Sequence, residues 1–306
     1  MLIVTSSWPR TGDELAGTFV RSDAIARAKG GARVVVAAPM GAGTPRGGRG
    51  VEVIDVAHLG LFGAPGAMER LAPHPTRIVG LLPFARDVAA IARRFDPQHV
   101  VAHWIAPAGL LARAVAGERA SIEIVAHGGD VRLLEGLPRA LARLLLDWTC
   151  DERTRIRAVS DSIAARLLSI EPRLARAIFV RAMPLAIDDA RERARSRELR
   201  AASTRALYVV AARLIESKRL ERAIDRVPRG ETLVLIGDGP RRDALTEHAR
   251  ACGVELRALG ALPHEEALAW IAAADVVLAP LAKGEGAPTV VREARALGVR
   301  VEVLAG

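Results

Sequence analysis

Two basic residues, Arg213 and Lys218, lie just past the short apolar run Leu207–Ala211, which predicts a buried strand. Fixed cations at the end of a strand can stabilise phosphate groups, above all a phosphate that leaves with extra negative charge. Only three of the 44 basic residues are lysines, so a lysine kept at position 218 favours a specific role. For Arg213 the alternative is a solvated cation in an arginine-rich chain.

Two glutamates, Glu285 and Glu293, lie on either side of a predicted helix start. Pro288 suits the first turn of a helix, so the segment predicts a loop carrying Glu285 and a helix containing Glu293. Backbone N–H groups at a helix N-terminus suit phosphate oxygens. The alternative is an ordinary acidic helix start. The residues expected to line this phosphate site are Gly286, Ala287, Pro288 and Thr289.

In the first half of the chain, Gly17 opens the predicted helix Gly17–Lys29, and His127 follows the predicted strand Ser121–Ala126. A glycine lets the backbone approach a ligand closely, so Gly17 and Thr18 are candidate binding residues. His127 precedes Gly-Gly-Asp and is expected to point toward a ligand. The alternatives are a helix that begins after a surface loop and a structural histidine at a strand end.

His103 precedes a tryptophan at the end of another predicted strand, and we expect it either near a bound substrate or in a structural role. Gly237 belongs to a Gly-Asp-Gly-Pro turn between a strand and a helix. This turn is either purely structural or shapes the floor of a pocket.

Short apolar runs alternate with amphipathic segments along the chain, which predicts parallel sheets covered by helices. The charged stretch Asp188–Ser203 separates two such alternations, so we expect two Rossmann-like domains, with the ligand in a cleft between them at the carboxyl ends of the strands. The predicted strands are Leu2–Thr5, Arg33–Ala38, Val51–Val56, His99–His103, Ser121–Ala126, Arg157–Ser160, Ile178–Arg181, Leu207–Ala211, Thr232–Ile236, Glu255–Leu259, Val276–Ala279 and Val299–Leu304. The predicted helices include Gly17–Lys29, Thr76–Phe95 with an interruption at Pro83, Leu137–Leu146, Asp161–Leu168, Leu220–Arg226, Arg241–Cys252, Glu265–Ala273 and Pro288–Leu297.

The composition limits the partners of the chain. A net charge of +9 favours an acidic partner, such as a nucleotide or a phospholipid surface, and the even spread of arginines argues against nucleic acid. Cys150 and Cys252 form no Cys-x-x-Cys motif, so neither a disulfide framework nor a structural zinc is predicted. The apolar stretch Val100–Ala112 is too short to span a bilayer. We expect a cytoplasmic protein with, at most, peripheral contact at the inner face of the membrane.

Taken in order along the chain, these motifs resemble the retaining glycosyltransferases of family 4, group 1 glycosyltransferases with the two-domain GT-B fold. The matching segments of the second half are Ala212–Lys218, Ile236–Pro240, Leu259–His264 and Glu285–Ala294. Those of the first half are Ser6–Pro9, Gly17–Arg21, His103-Trp104 and His127–Asp130.

The resemblance implies an α/β fold with two Rossmann-like domains facing across a cleft: residues 1–185 on the acceptor side, a linker at 186–204, and residues 205–306 on the donor side. It also implies roles for single residues. Arg213 and Lys218 contact the diphosphate, Glu285 meets the donor sugar, and Glu293 hydrogen-bonds the ribose. The remaining implied contacts are those of Gly17 with the diphosphate, His127 with the sugar, and Leu259 with the base.

The reaction implied by the resemblance is metal-free transfer from a UDP-, GDP- or ADP-sugar to a lipid, glycan or small-molecule hydroxyl, with retained configuration and no further cofactor. Family members continue beyond a strand equivalent to Val299–Leu304, so the resemblance also implies a shortened C-terminal end. Three alternatives stay open: a GT-B nucleotide-sugar epimerase, a non-catalytic nucleotide-binding protein, and, on charge alone, a nucleic-acid binder.

Overall fold

Parallel β-strands form two separate sheets, one in each half of the chain, in a computed structural model. The chain divides into two units, Met1–Pro184 and Leu185–Gly306. The structure describes residues 1–9, 17–39, 50–63, 67–185, 187, 195–200, 205–281 and 288–304, with only the backbone at 68 and 69. The fold class predicted from the sequence, an α/β protein with two parallel-sheet units, is confirmed.

The N-terminal unit is built on a seven-stranded sheet. Its strands are β1 (Leu2–Val4), β2 (Val34–Ala38), β3 (Val51–Asp55), β4 (His99–His103), β5 (Ser121–Ala126), β6 (Thr154–Ala158) and β7 (Ile178–Val180). All are parallel, in the order β3-β2-β1-β4-β5-β6-β7. Successive residues of β1 enter different apolar clusters, since Leu2 and Val4 pack on one face of the sheet and Ile3 on the other. Burial on both faces explains why the central strands β1 and β2 read as continuous apolar runs.

Helices cover both faces of this sheet. They are α1 (Thr18–Lys29), α2 (Ala67–Leu71), α3 (Leu81–Phe95), α4 (Leu110–Val115), α5 (Gly128–Glu135), α6 (Arg139–Thr149) and α7 (Asp161–Ile170). The helix predicted over Thr76–Phe95 is in fact a 3₁₀ segment, Pro75–Gly80, followed by α3. Pro83 does not interrupt a helix, because it lies in the first turn of α3, where a missing N–H costs no hydrogen bond.

The inward face of α1 carries a carboxylate. Val20, Asp23 and Ala24 are the buried residues of the helix, and the partly buried Phe19, Ile25 and Ala28 pack against the same apolar cluster as Val20 and Ala24. The helix therefore turns a carboxylate toward the sheet, and a buried carboxylate needs compensating partners.

The C-terminal unit is built on a five-stranded sheet. Its strands are β8 (Leu207–Ala211), β9 (Thr232–Ile236), β10 (Glu255–Gly260), β11 (Val276–Pro280) and β12 (Arg300–Leu304). Its helices are α8 (described over residues 195–200), α9 (Glu221–Ile224), α10 (Arg242–Cys252), α11 (His264–Ala273) and α12 (Thr289–Ala296). The strands are parallel, in the order β10-β9-β8-β11-β12.

Glu302 interrupts the apolar pattern of β12, and its position in the sheet explains why it is tolerated. β12 pairs only with β11 in this sheet and forms its edge. The Glu302 carboxylate accepts hydrogen bonds from Arg300 at 2.7 Å and from Arg226 at 3.2 Å. A charged side chain on an edge strand stays hydrated and also discourages pairing with another chain.

We expect Gly237→Ala to destabilise the C-terminal unit strongly. Gly237 has φ +130°, and a Cβ atom there would lie 1.9 Å from the carbonyl oxygen of Ala212, which is backbone and cannot move aside. The matched control is Gly230→Ala, at φ +84° with no atom within 4 Å of the added Cβ, which should cost only about 1–2 kcal/mol. Urea unfolding followed by circular dichroism measures both, and equal losses of stability would contradict the prediction.

Candidate active site

Three rings pack together at the carboxyl edge of the N-terminal sheet. Phe19 comes from the first turn of α1, Trp104 follows β4, and His127 follows β5. The ring centroid of His127 lies 4.9 Å from that of Phe19 and 5.1 Å from that of Trp104. Because Gly17 and Thr18 directly precede Phe19, this packing brings the predicted residues of the first half close to one another.

Gly17 is required where it stands. It is the N-cap of α1 at φ +82°, and a Cβ atom would lie 2.8 Å from the Cα of Trp8. The helix start is therefore pressed against the loop that follows β1. The carbonyl oxygen of Gly17 accepts hydrogen bonds from the backbone N–H groups of Val20 and Arg21.

His103 stands behind His127 and is fully buried. The two rings are stacked at 18°, with His103 Nδ1 3.2 Å from His127 Nε2. His103 Nε2 lies 3.5 Å from Asp23 Oδ2 and has no closer hydrogen-bond partner in the described part of the chain. The burial of His103 favours the structural role that its sequence context also allows.

Both histidines are held neutral. Burial lowers the pKa of His103, and burial together with the nearby His103 and Arg157 lowers the pKa of His127 well below its usual range. A neutral imidazole carries one N–H, so one ring of the pair must donate to the other. An N–H on His103 Nε2, directed at Asp23, leaves Nδ1 to accept from His127. Asp23 then sets the tautomer of His127 through His103.

Asp23 lies in a buried ionic network. It accepts hydrogen bonds from Arg27 Nε at 2.7 Å and from Arg157 Nη1 at 2.8 Å. Burial acts to raise the pKa of Asp23, but the hydrogen bond to His103 and the charges of Arg27 and Arg157 lower it far below its usual range. Glu123 balances the charge of Arg27, whose Nη1 donates a hydrogen bond to its carboxylate at 3.3 Å. Two carboxylates thus balance two guanidinium groups beneath the histidine pair.

Asp130 fastens the loop that carries Trp104 to the helix that follows His127. Its Oδ2 accepts from the Ile105 N–H at 3.0 Å, and its Oδ1 from the Val131 N–H at 2.9 Å. Trp104 has φ +74° and ψ +144°, a backbone conformation that is unfavourable for any residue with a Cβ atom. The anchoring of the next residue by Asp130 keeps the chain in this conformation.

Backbone hydrogen bonds join three loops at the carboxyl edge of the C-terminal sheet. The Gly237 N–H donates to the Gly260 carbonyl at 2.7 Å, and the Leu214 N–H donates to the Asp238 carbonyl at 2.9 Å. The loops that follow β8, β9 and β10 are therefore held against one another. They bring together Arg213, Gly237 and Leu259, three of the predicted site residues.

The two predicted cations differ in their surroundings. Lys218 ends a short 3₁₀ segment, Glu216–Lys218, and is buried, whereas Arg213 is exposed. A buried lysine is uncommon, and the burial sets Lys218 apart from Lys29, which is exposed at the end of α1.

The N-terminus of α12, which follows β11, also belongs to the carboxyl edge of the C-terminal sheet. Pro288 is the N-cap and Thr289 the first residue of the helix. Glu293, one turn further, is buried, and its Oε1 lies 2.8 Å from Nε2 of His264, the first residue of α11. His264 ends the segment Leu259–His264, and no local pattern in the sequence predicts its contact with Glu293. Glu285, Gly286 and Ala287 lie outside the described residues.

The chain shares this architecture with several solved structures. Sucrose-phosphate synthase from Thermosynechococcus elongatus is 17% identical with a TM-score of 0.69, over 100% of this chain and 82% of that one. HepE from Anabaena, solved in complex with UDP-glucose, is 18% identical with a TM-score of 0.62, over 99% and 80%. UDP-N-acetylglucosamine 2-epimerase from Methanocaldococcus jannaschii is 12% identical with a TM-score of 0.54, over 99% and 82%. No curated protein sequence matches the chain.

The fold is therefore GT-B, an architecture that glycosyltransferases share with a nucleotide-sugar epimerase. Residues 192–302 match the family model of the group 1 glycosyl transferases, and these residues include the whole carboxyl edge described above for the second sheet. Most of the C-terminal unit is thus similar to a group 1 glycosyl transferase domain, and the chain is a glycosyltransferase.

We expect Asp130 to make stability depend on pH. Burial raises its pKa to about 7, so between about pH 4 and pH 7 the folded state keeps a proton that the unfolded state loses. The contribution of Asp130 to the free energy of unfolding is therefore full below pH 4. It decreases by about 4 kcal/mol as the pH rises to 7.

Asp130→Asn mimics the protonated acid and should remove this dependence. Urea unfolding at several pH values from 4.5 to 8 measures the difference between wild type and variant. Asp147→Asn, on the exposed side of α6, is the control. Parallel curves for wild type and Asp130→Asn would contradict the prediction.

Proposed function

We propose that the protein is a retaining, family 4 glycosyltransferase that moves a sugar from a UDP-, GDP- or ADP-sugar to an acceptor hydroxyl without a metal ion. The observation that carries this proposal is the carboxyl edge of the C-terminal sheet. There an exposed arginine and a buried lysine follow β8, and a helix N-terminus and a buried glutamate belong to α12, which follows the neighbouring strand β11. The group 1 domain covers all of them.

The diphosphate is the part of the donor that these groups fit best. In the proposed site Arg213 and Lys218 stabilise the charge that develops as the nucleoside diphosphate leaves. The first N–H groups of α12, after Pro288, bind phosphate oxygens. Cations and helix N–H groups together supply the charge that a divalent metal supplies in other transferases.

The nucleoside is assigned to the neighbouring residues. Glu293 accepts hydrogen bonds from the ribose hydroxyls, and the His264 ring holds its carboxylate in place at 2.8 Å. Leu259, near the end of β10, lies beneath the base, which it meets mainly through backbone atoms. Gly237 allows the loops under the nucleotide to approach one another. Glu285, outside the described residues, is assigned to the donor sugar.

The N-terminal unit is assigned to the acceptor and to the sugar itself. Gly17 and Thr18, at the start of α1, contact the diphosphate, and His127 hydrogen-bonds a sugar hydroxyl. A neutral His127 suits this role, because its N–H donates to His103 while its Nδ1 is left to accept from a sugar hydroxyl, and it adds no charge beside an oxocarbenium-like state. The acceptor hydroxyl attacks from the face that the diphosphate leaves, so configuration is retained with no covalent glycosyl-enzyme.

A lipid, a glycan or a small molecule can serve as the acceptor. For a cytoplasmic enzyme with a lipid acceptor, we propose peripheral contact with the membrane. Leu144 and Trp148 of α6 are 64% and 61% exposed, and Arg143 lies beside them on the same helix. Among the described residues, no helix combines the length and the apolar character needed to cross a bilayer.

We expect one nucleoside diphosphate among UDP, GDP and ADP to raise the midpoint of thermal unfolding. A ligand that binds only the folded state stabilises it by about 2.7 kcal/mol at a hundredfold excess over its dissociation constant. Calorimetry or intrinsic fluorescence measures the shift and identifies the base. If no nucleotide shifts the midpoint, the donor site is absent.

Matched variants then test the assignment of residues. Lys218→Ala and Glu293→Ala should each weaken nucleotide affinity about tenfold or more, since each removes a charge-assisted hydrogen bond. Lys29→Ala and Glu247→Ala remove the same side chains from exposed positions on α1 and α10 and should leave the affinity unchanged. Nucleotide affinity that is unchanged in both site variants would remove the assignment.

We expect the product to keep the anomeric configuration of the donor, and EDTA to leave the rate unchanged. NMR coupling constants of the anomeric proton report the configuration, and rates with EDTA, Mg²⁺ and Mn²⁺ report the metal requirement. An inverted product, or a rate restored only by a divalent ion, contradicts the proposal. Epimerised or free sugar formed without any acceptor would favour the epimerase, and nucleotide binding without turnover would favour a non-catalytic protein.

A further inference from the structure

Three side chains of the C-terminal unit that play no part in the proposed reaction bring a carboxylate, an imidazole and a thiol together. Asp225 follows the last residue of α9, while His248 and Cys252 lie four residues apart on one face of α10. The donor atoms of the three side chains all lie within 4.8 Å of one another. We propose that they bind a single divalent transition-metal ion of the zinc class.

The distances match the edges of a tetrahedral site. Cys252 Sγ lies 3.7 Å from His248 Nε2 and 3.7 Å from Asp225 Oδ1. Zinc bonds of about 2.3 Å to sulfur and 2.0 Å to nitrogen or oxygen place such atoms about 3.5 Å apart. The third edge, from His248 Nε2 to Asp225 Oδ1, is 2.7 Å and must lengthen by about 0.6 Å when the ion replaces the hydrogen-bonded proton.

The same distances argue against a nucleophilic relay. In a Cys-His-Asp relay the acid and the thiol contact different nitrogens of the imidazole. Here both contact Nε2, so all three donor atoms converge on one point. Convergence of a thiol, an imidazole and a carboxylate is the donor set of zinc, and a water molecule can complete the tetrahedron from the exposed side.

The place of this cluster in the fold separates it from the transfer reaction. Helices α9 and α10 each run back from the carboxyl edge of a parallel strand toward the amino edge, and both end near the cluster before β9 and β10 begin. The donor loops lie at the carboxyl edge. A metal ion at the cluster would therefore cross-link α9 to α10 and stabilise the C-terminal unit without taking part in catalysis.

Cobalt(II) tests the proposal, because a cobalt–thiolate bond gives a near-ultraviolet charge-transfer band. We expect one equivalent of Co²⁺ to produce this band in the full chain, and Zn²⁺ to displace it and raise the midpoint of thermal unfolding. Cys252→Ser should abolish the band, and His248→Ala should weaken Zn²⁺ binding at least tenfold in calorimetry. Cys150→Ser removes the thiol of the N-terminal unit and should change neither the Co²⁺ band nor the affinity for Zn²⁺.

Three results would overturn the proposal. These are a band that persists in Cys252→Ser, a band lost in Cys150→Ser, and no Zn²⁺ binding at micromolar concentrations. Without Zn²⁺ binding, Asp225, His248 and Cys252 would be a hydrogen-bonded cluster and not a metal site. Nucleotide affinity and transfer rate in His248→Ala are expected to equal those of the wild type, so the two proposals fail or succeed independently.

Discussion

The buried ion pair of Asp23 and Arg157 is the interaction on which the N-terminal site depends. Arg157 also donates to the carbonyl oxygens of Arg181 and Ala182, at 2.8 and 2.7 Å, so this one guanidinium joins α1, β6 and the segment after β7. Asp23 in turn faces His103, which contacts His127. Removing one partner of such a pair leaves an uncompensated buried charge, which typically costs about 3–5 kcal/mol.

Close backbone approach plays the corresponding part in the C-terminal unit. The turn that contains Gly237 lies against the segment that carries Arg213, with no room for a side chain between them. Hydrogen bonds between main-chain groups hold these loops, so their geometry hardly depends on which side chains they present. The residue types at positions 218 and 293 can therefore be chosen for the ligand that they bind. Position 237 must be glycine because the neighbouring backbone leaves no space for a Cβ atom.

Much of the fold could be predicted because its strands are buried on both faces. β4, β5, β8 and β9 have the predicted bounds, since mainly apolar stretches mark all four strands. β6 was misplaced, with predicted bounds Arg157–Ser160 against Thr154–Ala158 in the structure. A strand with arginine at every second position offers no apolar run, and Arg157 is buried there only because Asp23 and two backbone carbonyls accept its hydrogen bonds.

The sequence by itself determined the order of the two α/β alternations and most of the polar residues at strand ends, because chain-local patterns of burial and turn chemistry are sufficient for both. Only the tertiary structure decided which polar residues are buried together. Asp23 and Arg157 are 134 residues apart, and His264 and Glu293 are 29 apart. In an arginine-rich chain, nothing local distinguishes a solvated charge from a buried one, since burial depends on the partner that folding brings near.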